Sequence, residues 1–329
     1  MNRIMRGLLS AALSAALAVL AMLPPSGSAQ AQAYPNRTVR LIVGFAAGGG
    51  NDLIARVLAQ ELQNALGQAV VVENKVGAGG RVAAEYVKGQ PADGYTLLIG
   101  ASGAMAISVA VSDKLHYATL KDFVPISKVA DFPLFMVVNP NHPAKNVKEF
   151  VEWAKANPDK SNYGTSSTAF TLAMELFKLK SGAPAVAIPY KSGNEMVLGV
   201  LGGQSAVTIV DPPPAIPQIQ GGKARALAVT DSKRMPDLPD VPTMDEAGYP
   251  DVHVSLWSGV FAPANTPAPV VERLERELQR ILKVPEIQQK FRAMATNAVG
   301  GSSQQFKDDI AREVKMWRGV GDAAHLTLE

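Results

Sequence analysis

Residues 44–52, which read Gly-Phe-Ala-Ala-Gly-Gly-Gly-Asn-Asp, have the residue types to bind a small anion. Consecutive glycines permit positive φ angles and bring backbone N–H groups close to a ligand. N–H groups at the start of a helix form an anion site, because they lack partners within the helix. Asp52 can cap such a helix by accepting hydrogen bonds from its N–H groups. The alternative is a tight turn that needs glycine only for steric reasons.

Three further segments follow predicted strands in the same way. Ser102 lies in a Gly-Ala-Ser-Gly sequence after one strand, and Asp211 precedes three prolines after another. Hydroxyl residues stand at the start of a predicted helix, namely Thr165, Ser166, Ser167 and Thr168. In open parallel sheets, ligands bind outside the C-terminal ends of the strands. The four segments, two in each half of the chain, therefore predict one ligand cleft.

The donors in these segments indicate a small carboxylate as the ligand. The segments supply N–H and O–H groups but contain no Arg, Lys or His. A phosphorylated ligand usually gains Arg or Lys partners and is therefore less favoured. Asp52 and Asp211 would repel an anion unless they face away from it or contact it through water. Phe45 could form an apolar wall of the site or belong to the core.

Composition argues against several other functions. The chain has 32 basic and 29 acidic residues with no long run of one sign, unlike proteins that bind nucleic acid or anionic membranes. It has no Cys and only four His, which lie far apart, so we expect no metal site. The glycine segments lack the Lys of a phosphate loop and the last Gly of a dinucleotide fingerprint, so we expect no cofactor.

An exported serine hydrolase is a less favoured alternative. Residues 100–104 fall one residue short of the G-x-S-x-G nucleophile motif. Ser102 or a serine of residues 165–168 would be the nucleophile, but no His has a sequence context that marks it as the base. We therefore expect no enzymatic activity.

Strand-like and helix-like segments alternate along the chain, which predicts an α/β fold with parallel sheets covered by helices. The roughly ten strands are too many for one comfortable sheet, so we expect two domains. No Gly/Ser linker separates them. The proline-containing segments near residues 131–140 and 255–263 are therefore expected to cross between the domains, with the C-terminal helices returning to the first.

Residues 1–33 have the pattern of a secretory signal peptide. Arg3 and Arg6 precede an apolar stretch of 17 residues, and the small residues that follow offer two A-x-A cleavage sites. A retained membrane anchor is the alternative, because that length is at the lower limit for a membrane span. Cleavage would give a mature chain starting near Tyr34 and predicts a periplasmic location, where the lack of Cys is no obstacle to folding.

Several stretches resemble the solute receptors of the tripartite tricarboxylate transporters, which are known in Bordetella as the Bug proteins. Each motif alone is modest, but they occur in order over essentially the whole mature chain and are highly specific together. The matching stretches are residues 34–56, 71–80, 92–98, 188–191, 201–203, 222–230, 238–243 and 257–263.

This resemblance implies an α/β, two-domain periplasmic binding protein of the type II-like kind, with two crossover strands and a ligand cleft between the domains. Domain 1 would comprise residues 34–133 plus 257–329, and domain 2 residues 134–256. The ligand contacts carried over from the family are Phe45, Ala47, Gly48, Gly49, Asp52, Ser102, Thr165, Ser166, Ser167, Thr168 and Asp211.

The resemblance also implies the partners. We expect a monomer that closes around a small carboxylate and presents it to the membrane permease subunits of a tripartite transporter. An extracytoplasmic sensor module, which would present its liganded form to a signalling partner instead, remains an alternative.

Overall fold

Two β-sheets organise the chain from Arg37 onward, and the computed structural model describes residues 34–325. The predicted signal peptide, residues 1–33, lies outside the described residues. The strands, numbered in chain order, are β1 Val39–Val43, β2 Val70–Asn74, β3 Thr96–Ala101, β4 Phe123–Pro133, β5 Phe135–Val138, β6 Asn162–Thr165, β7 Val186–Pro189, β8 Val207–Val210, β9 Arg225–Val229, β10 Ser255–Pro263 and β11 Asn297–Ala298.

Both sheets are mixed. The first has the order β11, β4, β10, β3, β1, β2, with β1 parallel to β2 and β3 and with β10 antiparallel to β3 and β4. The second has the order β7, β6, β8, β5, β9, with β6 parallel to β7 and β8 and with β5 antiparallel to β8 and β9. The prediction of parallel sheets is therefore wrong, because the chain leaves the first sheet along β4 and returns to it along β10 in the opposite direction.

Helices cover both sheets. The longest begin where the chain leaves a strand and end at residues that suit helix termini; α1 and α6, for example, end at glycines with φ of 68°. The helices are α1 Gly50–Leu66, α2 Arg81–Lys88, α3 Ser108–Val111, α4 Thr119–Asp122, α5 Val147–Ala156, α6 Thr168–Ser181, α7 Gly193–Leu201, α8 Pro212–Gln220, α9 Ala268–Leu282, α10 Pro285–Ala293 and α11 Ser303–Ala323.

Apolar residues of the helices pack on the sheets and on one another. In α11, the apolar positions Phe306, Ile310 and Trp317 lie on one face, as the helical spacing predicts, and all three are buried. Trp317 belongs to the same core cluster as Phe150 of α5 and Phe177 of α6. Full burial of such a side chain contributes roughly 1.5–3 kcal/mol. The C-terminal helix therefore contributes to a core that includes helices of the second sheet.

The two passages between the sheets are joined by the side chain of Thr230. Strand β4 ends at Pro133 and β5 begins at Phe135, so one residue, Leu134, separates the sheets on the first passage. The buried Thr230 hydroxyl accepts from Leu134 N at 2.8 Å and donates to Val254 O at 2.5 Å, just before β10 begins. One hydroxyl thus links the outgoing and the returning segments.

Two elements are not evident from the sequence pattern. Strand β4 contains Ser127, Lys128 and Asp131, which interrupt an apolar run, although nine of its residues pair with β10. Helix α8 begins with three prolines, which suggest a loop. Proline is nevertheless compatible with the first turn of a helix, where its missing N–H has no partner within the helix anyway.

Candidate functional site

A cavity of about 730 Å³ lies between loops of the first and second sheets. From the first sheet, its walls include residues after β1, after β2 and at the end of β3; from the second, residues after β6, after β7 and after β8. Phe132 of β4 and Leu256 and Trp257 of β10 form its base near the two passages between the sheets. The predicted convergence of strand ends on one cleft therefore agrees with the position of the cavity.

The structure brings seven of the eleven predicted site residues to the cavity. They are Phe45, Gly49, Ser102, Ser166, Ser167, Thr168 and Asp211. The other four, Ala47, Gly48, Asp52 and Thr165, are not among the residues that line it. For Asp52 and Thr165 the reason is visible in their hydrogen bonds.

Asp52 is buried and shapes the first loop from behind. Its carboxylate accepts hydrogen bonds from Gly48 N, Arg56 Nε and Asn74 Nδ2, each at 2.8 Å. Burial disfavours the anion, but these hydrogen bonds outweigh that penalty and hold the pKa of Asp52 below its ordinary value. The oxygens of Asp52 are occupied by the protein, and Gly48, with φ of 80°, provides one of the donors; contact of Asp52 with a ligand stays a prediction.

The same loop ends at the cavity. Gly49 is the N-cap of α1 and has no side chain to accept from the helix. The first N–H groups of a helix have no intrahelical partner, and those of Gly50 and Asn51 belong to this set. Both residues line the cavity. The start of α1 can therefore supply donors to an anion there.

Asn51 is a cavity residue that the sequence analysis missed. Ser258 of β10, which is fully buried, donates from its hydroxyl to Asn51 Oδ1 at 2.6 Å. Because its oxygen is engaged, the side chain is left with its NH₂ group for a ligand. The sequence pattern could not identify this role, because Ser258 is distant in the chain and only the fold brings it to the loop.

Ser102 lines the cavity and holds the base of the site together. Its hydroxyl oxygen accepts from the backbone N–H of Trp257 at 3.2 Å. Among the described residues that line the cavity there is no His. A serine nucleophile needs a base within hydrogen-bonding distance, so the geometry gives the hydrolase alternative no support.

Trp257 connects the cavity to the core behind it. Its indole Nε1 donates to Glu313 of α11, and Glu313 also accepts from Trp317 Nε1 at 3.1 Å. Burial raises the pKa of Glu313, although the two indole hydrogen bonds oppose this shift. One face of the cavity base is therefore fixed by a half-buried carboxyl group that is shared between two tryptophans.

On the second sheet, the hydroxyl segment divides into two parts. Ser166, Ser167 and Thr168 line the cavity at the start of α6. Thr165 instead contacts its own loop: its hydroxyl donates to Ser167 O at 3.2 Å and lies 2.8 Å from Thr171 Oγ1. Thr165 therefore positions the helix start, and its contact with a ligand stays a prediction.

Asp211 differs sharply from Asp52. It is the N-cap of α8, but its side chain accepts no hydrogen bond there, because Pro212, Pro213 and Pro214 have no N–H groups. Burial raises the pKa of Asp211 to about 6. Its Oδ1 would lie 2.9 Å from a Cβ atom added to Gly193, the first residue of α7, so that this helix can begin beside the carboxyl group only with glycine.

Two cationic side chains also line the cavity, which corrects the prediction that its loops lack them. Arg81, the first residue of α2, is held by a hydrogen bond of 3.0 Å from its Nε to Ala78 O. Lys191 stands just before Ser192, the N-cap of α7. Both follow strands that run parallel to a neighbour, β2 and β7. Their position after parallel strands is the sequence signal that could have identified both residues.

Three helices begin at this cavity; no side chain caps the first turn of α1 or α6, and in α7 Ser192 caps Glu195 N. The starts of α1, α6 and α7 all contribute residues to its walls. The described residues include no group of three or more His, Cys, Asp or Glu that could hold a metal ion. Within the same part of the chain, no helix is both long and apolar enough to span a membrane. The arrangement is thus suited to a small anion held by N–H, O–H and cationic groups.

Comparisons with known proteins agree with this arrangement. A model of the tripartite tricarboxylate transporter family receptor matches residues 54–326. Protein BugT from Bordetella pertussis is 37% identical, over 88% of this chain and 90% of that protein. A structure of Rpa4515 from R. palustris with adipate is 33% identical, with a TM-score of 0.81, and covers 89% of this chain and 99% of that one. MatC from Rhodopseudomonas palustris with bound malate is 29% identical, with a TM-score of 0.78 and coverage of 87% and 99%.

These relatives confirm the predicted α/β, two-domain periplasmic binding protein fold and the predicted receptor class. A further structure, described as a periplasmic transporter, is 37% identical with a TM-score of 0.80, and covers 90% of this chain and all of that one. The family match extends over most of the chain, and the relatives align along nearly their full length. The chain belongs to the tripartite tricarboxylate transporter receptor family.

Proposed function

We propose that this receptor captures a small carboxylate in the cavity between its two sheets and delivers it to the membrane permease subunits of a tripartite transporter. One observation carries the proposal: three helix starts and two cationic side chains, drawn from both sheets, converge on a single cavity. The adipate and malate in the structures of Rpa4515 and MatC are small dicarboxylates, which fits this chemistry.

Magnitudes indicate how the anion would be held. A helix start stabilises a nearby negative charge by about 0.3–1 kcal/mol, so three of them supply roughly 1–3 kcal/mol. Micromolar affinity requires about 8 kcal/mol. Direct hydrogen bonds from Asn51 and the serines, and the charges of Arg81 and Lys191, must provide the rest. Phe45, Phe170 and Trp257 offer apolar walls for the carbon chain.

Capture would proceed by closure of one lobe onto the other. We propose lobes of residues 34–133 with 257–329 and of residues 134–256, as the sequence indicates. A ligand that contacts the starts of α1 and α6 at once stabilises only the closed arrangement, so binding shifts the equilibrium toward closure. A permease can then distinguish the loaded receptor from the empty one by its shape.

We further propose that the protein has no enzymatic activity, acts as a monomer, and reaches the periplasm after removal of residues 1–33. Support comes from the relatives, which are receptors and not enzymes, and from the signal-like sequence of these residues. Mass spectrometry of the protein from a periplasmic extract would give the mature N-terminus. A mass that still includes residues 1–33 would contradict cleavage.

The binding proposal is tested by thermal unfolding with adipate, malate, hexanoate and the neutral diamide of adipic acid. A ligand at 100 times its Kd adds about 2.7 kcal/mol of stability. We expect stabilisation by at least one of the two dicarboxylates, a smaller effect of hexanoate, and none of the diamide. Trp257 fluorescence should change in the same titrations. No stabilisation by any of the acids at millimolar concentration would contradict the proposal.

A matched pair of variants connects binding to this cavity. Gly49→Val adds a side chain at a glycine that lines the cavity and has an ordinary φ of −76°. Gly319→Val adds the same group on α11, where an added Cβ meets nothing within 4 Å and no cavity wall is formed. We expect Gly49→Val to lose binding and Gly319→Val to keep it. Equal affinities in two folded variants would exclude the first loop from the site.

A further inference from the structure

The carboxyl group of Asp211 occupies an unusual position for a site that binds anions. It lies at the end of β8, lines the cavity, and stands beside the start of α7 at Gly193. An anionic ligand that enters between α6 and α7 therefore meets a second acidic group. Ionised, that group would repel the ligand; protonated, it could donate a hydrogen bond to it.

The surroundings of Asp211 do little to stabilise its charge. An aspartate at an N-cap ordinarily accepts from the N–H groups of the second or third helical residue. In α8 these are Pro213 and Pro214, which have none. The preceding strand β8 and the neighbouring strands β5 and β6 contain no ionisable side chain except that of Tyr163.

Charged groups on the surrounding elements are occupied elsewhere or stand apart from Asp211. On α7, Glu195 accepts from the backbone N–H of Lys191 at 3.0 Å. On α6, Glu175 pairs with Lys178 at 2.7 Å, and across the cavity Arg56 pairs with Asp52 at 2.8 Å. Arg81 and Lys191 line the cavity, and within residues 34–325 neither comes within 4 Å of the Asp211 carboxylate.

We propose that Asp211 is the residue through which the receptor takes up one proton together with its carboxylate ligand. The proton comes from solvent and remains on the Asp211 carboxyl group, which donates a hydrogen bond to a ligand carboxylate oxygen. Two carboxyl groups in contact cannot both stay ionised, so the bound ligand raises the pKa of the Asp211 carboxyl group further. The raised pKa of Asp211 in the unliganded protein supports this assignment. The inference rests on the proposed function and adds to it a defined protonation state.

Isothermal titration calorimetry with adipate at pH 7 and pH 8 tests the proposal. This range lies well above the acid dissociation of the ligand, so a change in affinity reports a group on the protein. Uptake of one proton makes the Kd of the wild-type protein about tenfold weaker at pH 8 than at pH 7. Titrations in two buffers of different ionisation enthalpy should show uptake of about one proton at pH 8. A wild-type Kd that is equal at both pH values, with no proton uptake, would overturn the proposal.

Two variants sharpen this experiment. Asp211→Asn keeps a donor of similar shape and should bind adipate with the same Kd at both pH values and without proton uptake. Asp159→Asn makes the same change of charge at an exposed turn before β6, whereas the cavity residue Ser166 follows the other end of that strand, and it should behave as the wild type. Thermal unfolding checks that both variants are folded.

The outcomes separate this proposal from its alternatives. If Asp211→Asn is folded but loses adipate at both pH values, the ionised carboxylate acts as an acceptor and the proposal is wrong. If Asp211→Asn keeps the wild-type pH dependence, another group takes up the proton and the proposal is also wrong. If the wild-type protein is stabilised by no acid in the thermal panel, it is the proposed function that fails.

Discussion

Asp52 and Asp211 occupy similar places in the chain, each near the start of a helix that follows a strand, yet the fold treats them in opposite ways. Asp52 receives three hydrogen bonds, one of them from Arg56, and its pKa is lowered. Asp211 stands before three prolines, accepts no cap hydrogen bond, and has a pKa raised to about 6.

The difference shows that burial alone does not determine the charge of a carboxyl group. Both side chains are withdrawn from water, which disfavours the anion in each case. For Asp52 the donors more than compensate, and the result is a structural anion behind the first loop. For Asp211 the hydrogen bond from its own backbone N–H does not offset burial, and the result is a weak acid that faces the cavity. The two sheets thus contribute different chemistry to one site.

Replacement of Asp52 is expected to have the largest effect on stability. Asp52→Ala leaves Gly48 N, Asn74 Nδ2 and the Arg56 guanidinium without their acceptor, which should lower the free energy of unfolding at pH 7 by about 3 kcal/mol. Asp211→Ala removes a carboxyl group that has no such donors, and it should not lower the free energy of unfolding at pH 7. Urea denaturation of both variants measures the difference, and equal losses would contradict the contrast.

Asp211 should make the free energy of unfolding depend on pH. Because the pKa of Asp211 rises from 3.8 to about 6 on folding, its contribution is most favourable below pH 3.8 and is lost as the pH rises through 6. The free energy of unfolding of the wild type, relative to Asp211→Asn, should therefore fall between pH 4 and pH 7. The fall should be at most about 3 kcal/mol, and less if water in the cavity solvates the carboxylate.

The contribution of Asp52 has the opposite sign. Its pKa is lowered on folding, so its stabilisation is present above pH 3.8 and is lost as the pH falls through the folded value.

Urea denaturation of wild type and Asp211→Asn from pH 4 to pH 7 tests whether the pKa of Asp211 is raised on folding. Two parallel curves would show that Asp211 does not titrate differently in the folded and unfolded protein.

Returning a donor to α8 should make Asp211 resemble Asp52. Pro213→Ala restores an N–H at the second helical position, where an N-cap carboxylate can accept it. We expect the pKa of Asp211 to fall by about 1 unit, since one hydrogen bond to the charged form favours ionisation by about that much. Carboxyl carbon NMR measures this pKa directly.

The control for this variant lies in the same helix. Pro217→Ala also restores an N–H, but within α8 rather than at its start. It should leave the pKa of Asp211 unchanged, whatever it does to helix stability. A shift of similar size in both variants would mean that the prolines act through the conformation of the helix and not through a missing donor.

The ion pair of Asp52 is expected to have the smallest effect. Arg56 is 52% exposed at its side chain, and exposed pairs contribute little. Arg56→Gln should lower the free energy of unfolding far less than Asp52→Ala does, because Gly48 and Asn74 continue to donate to the carboxylate. Urea denaturation at low and high salt measures the loss. A loss as large as that of Asp52→Ala would make the ion pair, and not the loop amide, the main stabilising contact.

The position of the site could be predicted from the sequence more fully than its charges. Segments rich in glycine and hydroxyl residues after strands identified both walls of the cavity, because strand ends of one sheet share an edge. That Asp52 and Thr165 bond to other protein groups, and do not line the cavity, could not be predicted in this way. Their partners, Asn74 and Thr171, are ordinary polar residues whose contact depends on the packing of neighbouring elements.

The same limitation explains the residues and elements that were missed. Arg81 and Lys191 follow strands as the predicted residues do, but charged residues on loops are usually solvated, so their place after a strand did not by itself distinguish them from surface residues. Met294 and Thr296 approach it from the loop after α10, far along the chain from every predicted segment. The sequence pattern did not predict the long strand β4, because its polar residues suit a strand only when β10 pairs with it.

The link made by Thr230 has a consequence for how the two lobes can move. Because its hydroxyl touches both Leu134 and Val254, the outgoing and returning backbones are fastened side by side at one level. Rotation of the second lobe would then pivot about this fastening instead of bending each strand at a place of its own. If the proposed closure occurs, we expect a narrow arc of rotation that brings the two cavity walls together in the same register each time.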